Sequence, residues 1–272
     1  MTSPARLTSA AWSTPALRDY LVAHAIAGTV ATPRQDSLSK YRRMVSGDWQ
    51  CQFGLTFARP WTVEDVLAEM ALRCGVSGDP AVQQGPDFID PDRTIDRLRA
   101  MAARLRQVAA AHGTVLLGTG HPAGLLAIHA VLSRRLRAAG CQVLTPAAGW
   151  RGRRLFDDEQ LDGELRYWDR VAVISVFGGL GHTHAAGPMQ AMLADLRQSG
   201  QPMPDLVIAD HGFAGAAGEA GLLVVGFADC NDPALFVGEA EGSIDVSVPL
   251  DDNVPPDLYE PVTAFLLAQA GL

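Results

Sequence analysis

The stretch PDLVIADHGFAGAAGEAGLLVVGFADCNDPALF, residues 204–236, sets two apolar runs on either side of a segment rich in glycine and alanine. Leu206 to Ala209 and Leu222 to Ala228 are short, continuous and apolar, the pattern of strands buried on both faces, and the segment between them suits a compact helix. Each run stops abruptly in polar residues: Asp210-His211-Gly212 after the first, Asp229-Cys230-Asn231-Asp232 after the second. Strand, helix and strand in this order read as a parallel β-α-β unit with acid at both strand ends.

The same texture extends from Gly113 to the C-terminus. TVLLG, CQVLTP, RVAVISVFG, PDLVIAD, GLLVVGFAD and SIDVSVPL alternate with helical patterns, expected at about 122–139, 187–199, 212–220, 232–241 and 256–270. They predict an α/β fold with five or six strands in a mostly parallel sheet flanked by helices, a Rossmann-like three-layer arrangement. Residues 1–112 read as a mainly helical N-terminal region, a layer or cap beside an α/β core at 113–272; the two could also form one compact domain. PALRDYLVAHAIAG predicts a helix ending at Gly28, TVEDVLAEMALRCG one that starts at a capping Thr62, and DPDRTIDRLRAMAARLRQVAAAHG a longer one ending at Gly113. PAAGWRGRRLFDDEQLDGELRYW (146–168) is the main polar insertion.

Composition narrows the function. The chain has 272 residues, 48% of them hydrophobic, and a formal net charge of -8, so its charge opposes binding to duplex nucleic acid. Four scattered cysteines without a CxxC read as reduced, mostly buried thiols rather than a zinc site or disulfide framework. No window reaches the roughly eighteen apolar residues needed to span a bilayer, which makes a cytoplasmic location the default expectation. A homo-oligomer is compatible with all of this.

In open parallel sheets, ligands bind outside the carboxyl ends of the strands, and that rule gathers the chemistry-bearing residues. GTGHPAGLLAIH places Thr119, Gly120, His121 and Gly124 on a tight turn with a proline opening the next helix, a geometry that offers backbone N–H groups to an anion. A structural turn with His121 as a polar cap explains the same residues. In GGLGHTH, His182 and His184 are two apart and share a side in extended chain, as a metal or phosphoryl pair would, unless the segment is simply an exposed glycine loop. Asp210, Asp229, Asn231, Asp251, Asp252 and Asn253 all follow apolar runs; converging carboxylates repel unless a cation or protons neutralise them. Such oxygen-rich ligands suit Mg²⁺ or Mn²⁺. Asp232, just before Pro233, reads instead as a helix cap. Arg34, Lys40, Arg42 and Arg43 form a basic run in an acidic protein, either a solvated helix face or a clamp for a substrate anion.

Taken in order, VATPRQDSLSKYRRMVSGD, GTGHPAGLLAIH, GHTHAAGPMQAML, PDLVIADHGFAGAA, GFADCNDPALFVGEAEG and VPLDDNVPP resemble a family of actinobacterial phosphatases over nearly the whole chain. The chain is more loosely similar to metal-dependent phosphatases of the damage-control type, which bind a divalent cation through an Asp-Asn pair and a further Asp at strand ends. Asp210 matches the first acid of that set and Asp229 or Asp232 the last, whereas His211 stands where that family has Asn.

The resemblance implies a metal-dependent phosphatase that hydrolyses a phosphomonoester of a small metabolite, of the sugar or nucleotide phosphate class. Its expected catalytic residues are His121, His182, His184 and Asp210. Phosphate contacts fall to Arg34, Lys40, Arg42, Thr119, Gly120, Gly124 and His211, and Asp210, Asp229, Asn231 and Asp252 would hold Mg²⁺ or Mn²⁺. An aspartyl-phosphate route is disfavoured because neither strand end carries DxDx[TV]. Two alternatives use the same residues: a non-catalytic phosphometabolite-binding protein, and a lyase or isomerase with His121 and Asp210 as acid and base.

Overall fold

The computed structural model describes residues 12–153, 155 and 162–272. Part of the polar insertion read at 146–168 therefore lies outside the described residues. The chain runs through α1 (Thr14–Ala23), β1 (Gly28–Pro33), α2 (Arg34–Val45), a short α3 (Trp49–Gln52), α4 (Val63–Arg73), β2 (Pro86–Ile89) and α5 (Pro91–Ala110). Then come β3 (Thr114–Gly118), α6 (Pro122–Ala138), β4 (Gln142–Val143), β5 (Arg151–Gly152), β6 (Gly163–Trp168), β7 (Val171–Val176), β8 (Gly179–Gly181) and α7 (Gly187–Ser199). β9 (Leu206–Ala209), α8 (His211–Glu219), β10 (Val224–Ala228), α9 (Pro233–Glu241), β11 (Val246–Pro249), a 3-10 turn (Pro256–Tyr259) and α10 (Glu260–Ala270) complete it.

The main sheet has the order β11-β10-β9-β3-β7-β6-β5, with β4 beside β3 and β8 beside β7. β11, β10, β9, β3, β4 and β7 run parallel, while β5, β6 and β8 add antiparallel pairs at the other end. This is an α/β architecture with a mostly parallel sheet flanked by helices. The cause lies in the apolar runs: β9, β10 and β11 are buried at every position, so both faces need a cover, and crossover helices supply it. β6 instead mixes buried and exposed residues, as a strand near an edge should.

Two expectations need correction in the first 112 residues. α1 stops at Ala23, well before Gly28, because Ala25 turns left-handed at φ 53 and the amides of Ile26 and Ala27 return to the Leu21 carbonyl. The residues that follow form β1, which pairs antiparallel with β2 in a separate two-stranded ribbon. The other N-terminal signals hold: Thr62 and Asp65 form a reciprocal capping box at α4, and Asp90 caps α5. α5 lies against β11 and α10, tied there by the Thr94 hydroxyl, which donates to the Pro249 carbonyl at 2.8 Å.

α8 sits closest to the site, and its glycines let it do so. Gly212, Gly215 and Gly218 recur every third residue, and a Cβ on each would overlap a backbone carbonyl, of Ala185, Phe53 and Ser243 respectively. The helix is buried along almost its whole length, so neighbouring segments have little room to yield. Gly215→Ala is expected to lower stability by about 1–3 kcal/mol, as overpacking of a tight interior does. Urea unfolding of both proteins measures it; an unchanged midpoint would contradict the close approach.

Candidate active site

The carboxyl ends of β3, β9, β10 and β11 open onto one cavity of about 360 Å³, walled on the remaining sides by the β8–α7 loop, β1 and α2. His121 follows β3, His211 follows β9, Asp229, Asn231 and Asp232 follow β10, and Asp251 and Asp252 follow β11. His182 and His184 come from the β8–α7 loop, Thr32 from β1 and Lys40 from α2.

Asp210 does not line this cavity. It is fully buried behind it, where one oxygen, Oδ1, accepts from the Gly120 amide at 2.7 Å, the His121 amide at 3.2 Å and Nδ1 of His211 at 2.9 Å. The glycine turn thus does hold an anion, but the anion is the protein's own carboxylate. A carboxylate accepts only, so Nδ1 of His211 carries the proton and Nε2 faces the cavity. His211 reaches this position with its backbone at φ 46, a left-handed conformation that costs energy in a non-glycine residue. Burial opposes the Asp210 charge, yet the His211 hydrogen bond and the neighbouring rings hold its pKa at about 2. Burial likewise opposes a charge on His211, but the Asp232 and Asp210 carboxylates raise its pKa well above the usual histidine range.

Nε2 of His211 lies 3.4 Å from Asp232 and 3.8 Å from Oδ2 of Asp252. Asp232 therefore corrects its sequence reading as a helix cap: its side chain makes no capping hydrogen bond to α9, and it points to His211 and to Lys40, whose Nζ is 3.6 Å away. Burial pushes the Asp232 pKa up, but Lys40 and His211 more than offset it and hold the group ionised. The opposite holds for Asp229. Burial and then the Asp252, Asp251 and Asp232 charges push its pKa well above the ordinary value, even though it accepts from the Thr32 hydroxyl at 2.7 Å and the Cys230 amide at 2.6 Å. Asp251 is raised too, first by burial.

The histidines supply the other wall. His121 and His182 stack with centroids 4.4 Å apart. Nδ1 of His184 is 2.7 Å from the Gln50 carbonyl, so that nitrogen is the donor and Nε2 is left as acceptor for Nε2 of His182 at 3.0 Å. Burial and then the His211 charge lower His182 to about 3 and His184 to about 4, so both rings are neutral near pH 7. His121 is raised despite burial, by Asp252. Nδ1 of His121 and Oδ2 of Asp252 face each other at 3.1 Å, but neither atom completes a hydrogen bond.

These donors fit a divalent cation. His121, His182 and His211, then His211, Asp232 and Asp252, then Asp229, Asp251 and Asp252 each bring ligand atoms within 4.8 Å of one another. Buried acids with unpartnered oxygen are what a cation would satisfy.

Several sequence candidates lie elsewhere. Arg34 is buried, 3.4 Å from Asp87 and 2.6 Å from the Ser77 carbonyl, so its guanidinium is occupied. Arg42 is exposed and off the cavity wall. Thr119 accepts from the His121 amide. Gly120 and Gly124 are glycines because a Cβ would strike the Thr183 and Asp252 carbonyls. Asn231 reaches the cavity, with its amide nitrogen donating to Asp36 at 2.7 Å. Sequence reading missed Thr32, whose strand carries a weak signal, and His129, whose Nε2 lies 3.7 Å from Oδ2 of Asp210. The Cys230 thiol is buried against Ser37, and burial and then Asp229 raise its pKa well above the usual thiol value, which ill suits a nucleophile.

A protein family described as Phosphatase matches residues 12–272 of this chain. The chain is also 47% identical over 258 residues to Phosphatase SCO2771 of Streptomyces coelicolor, an alignment covering 94% of this chain and 95% of that protein. With both matches spanning nearly the whole length, the cavity included, the chain belongs to the Phosphatase family.

Proposed function

We propose that the protein is a metal-dependent phosphatase that hydrolyses the phosphomonoester of a small metabolite in the cavity at the strand ends. The observation that carries this reading is the convergence of His211, Asp232 and Asp252 with Asp229 and Asp251 on one polar cavity, in a chain whose family and relative bear the name phosphatase. His211, Asp232 and Asp252 would hold the cation, with Mn²⁺ or Mg²⁺ as the candidates. When bound, the cation supplies Lewis-acid polarisation of the phosphoryl group and lowers the pKa of water.

The protein's own groups do the rest. Asp210 fixes the tautomer and aim of His211, a positioning role that a buried carboxylate behind a ligand histidine fills well. Lys40 brings positive charge to the cavity wall beside Asp232 and would bind a phosphoryl oxygen. His182 keeps an exposed edge; because its Nε2 is the donor to His184, its Nδ1 is free to accept a proton from an incoming water or pass one to the leaving oxygen. Asp210 is buried and off the cavity lining, which supports this reading over one that uses it as a base with His121. A cavity of about 360 Å³ suits a small phosphate ester rather than a phosphoprotein segment.

Three outcomes are expected. Chelation should abolish phosphate release from a panel of phosphomonoesters, and Mn²⁺ or Mg²⁺ should restore it. Asp232→Asn and His211→Gln should each lower kcat on the order of 100-fold or more and lose the rise in melting temperature that the cation gives the native protein; full activity in chelator would reject metal dependence. Lys40→Met should raise KM for phosphomonoesters roughly 10-fold or more, with metal-induced stabilisation retained. An unchanged KM and kcat would remove Lys40 from the substrate site.

A further inference from the structure

Asp252 belongs to two of the donor sets, and this overlap deepens the cation-dependent reading above, on which it rests. We propose that the cavity takes a pair of divalent cations bridged by the Asp252 carboxylate, one on the His211 and Asp232 side and one on the Asp229 and Asp251 side.

The number of cations follows from lone pairs. Three donor sets are linked in a chain, His211 belonging to the first two and Asp252 to the last two. Nδ1 of His211 is committed to Asp210, which leaves only Nε2, and one imidazole nitrogen binds one cation. Both sets that contain His211 therefore describe a single position, to which His121 can add a nitrogen. A carboxylate has two oxygens and can serve two cations at once. Asp252 joins the histidine-bearing position to the all-carboxylate one, so three donor sets reduce to two cations.

Independent observations point the same way. Oδ2 of Asp252 is buried without a hydrogen-bond partner, and so is Nδ1 of His121 beside it; such atoms are costly unless a ligand completes them. The acids of the second position are held in place by neighbouring donors: the Thr32 hydroxyl and the Cys230 amide hold Asp229, and the Asn253 amide holds Asp251 at 2.9 Å. Acids also outnumber lysines here: among the described residues four carboxylates line the cavity, from Asp229, Asp232, Asp251 and Asp252, and the lysine on its wall is shared with Asp36 at 4.0 Å. The mixed imidazole and carboxylate position suits Mn²⁺ or Zn²⁺, and the all-oxygen position suits Mg²⁺ or Mn²⁺. Mn²⁺ satisfies both and is the natural probe.

The test titrates Mn²⁺ into the chelator-stripped full-length chain and reads stoichiometry by equilibrium dialysis with elemental analysis. Electron paramagnetic resonance reads the distance between ions. The expected result is two equivalents per chain, with the spectrum of isolated Mn²⁺ giving way to that of a spin-coupled pair as the second binds. Asp251→Asn should bind one equivalent, without coupling; Asp252→Asn should lose the coupled signal. Saturation of the native protein at one equivalent, or two equivalents that never couple, would overturn the pair whatever the variants do. Phosphate release assayed on the same samples separates the two readings: one equivalent with hydrolysis overturns the pair and leaves the phosphatase standing, and two coupled equivalents without hydrolysis do the reverse.

Discussion

The site depends on one buried carboxylate. Asp210 ends β9 and gathers, on a single oxygen, the amides of the turn that ends β3 and the ring of its own neighbour His211. Without it, the Gly120 N–H would be buried unpaired, the His121 N–H would keep only Thr119, and the imidazole would be free to choose its tautomer. With it, the ends of two adjacent strands are locked in register, and Nε2 of His211 is delivered to the cavity. The strained backbone at His211 is compensated by this same set of bonds, which is how the carboxyl end of a strand holds an imidazole at a fixed aim.

A second constraint is electrostatic. Among the described residues, four carboxylates share a small volume with one lysine and several histidines, and the protein gives them different environments. Asp232, beside Lys40 and His211, stays ionised; Asp229, crowded by Asp251 and Asp252, resists ionisation. Such divergence among like groups is an arrangement that a bound cation could relieve, and it differs from a structural ion-pair network, in which each acid meets its own base. The Arg34–Asp87 pair, buried and mutually satisfied, illustrates the structural kind within the same molecule.

Much of this was legible in the sequence. Continuous apolar runs ending in polar residues identified β3, β9, β10 and β11 and the carboxyl ends where ligands gather, because fully buried strands carry their own signature. His121, His182, His184, His211, Asp229 and Asp252 all reach the cavity they were expected to share. What escaped is tertiary. The glycine turn asks for an anion and Asp210 is one, but their meeting depends on β3 pairing with β9, Gly118 beside Ala209, a register no local pattern encodes. Asp232 before Pro233 satisfies every local rule for a cap, and only the position of α2, carrying Lys40, gives it another partner. β1 and β2 are brief and bounded by proline, so the ribbon that brings Thr32 to Asp229 carries little strand pattern of its own.

The central claim is that this cavity binds a divalent cation through His211 and its neighbouring acids and presents it to a phosphate. Anomalous diffraction from crystals grown with Mn²⁺ and orthophosphate tests it most directly. The account requires anomalous density in contact with Nε2 of His211 and the Asp232 and Asp252 carboxylates, with phosphate beside it toward Lys40. A cavity free of anomalous density, with phosphate bound at another surface, would contradict it.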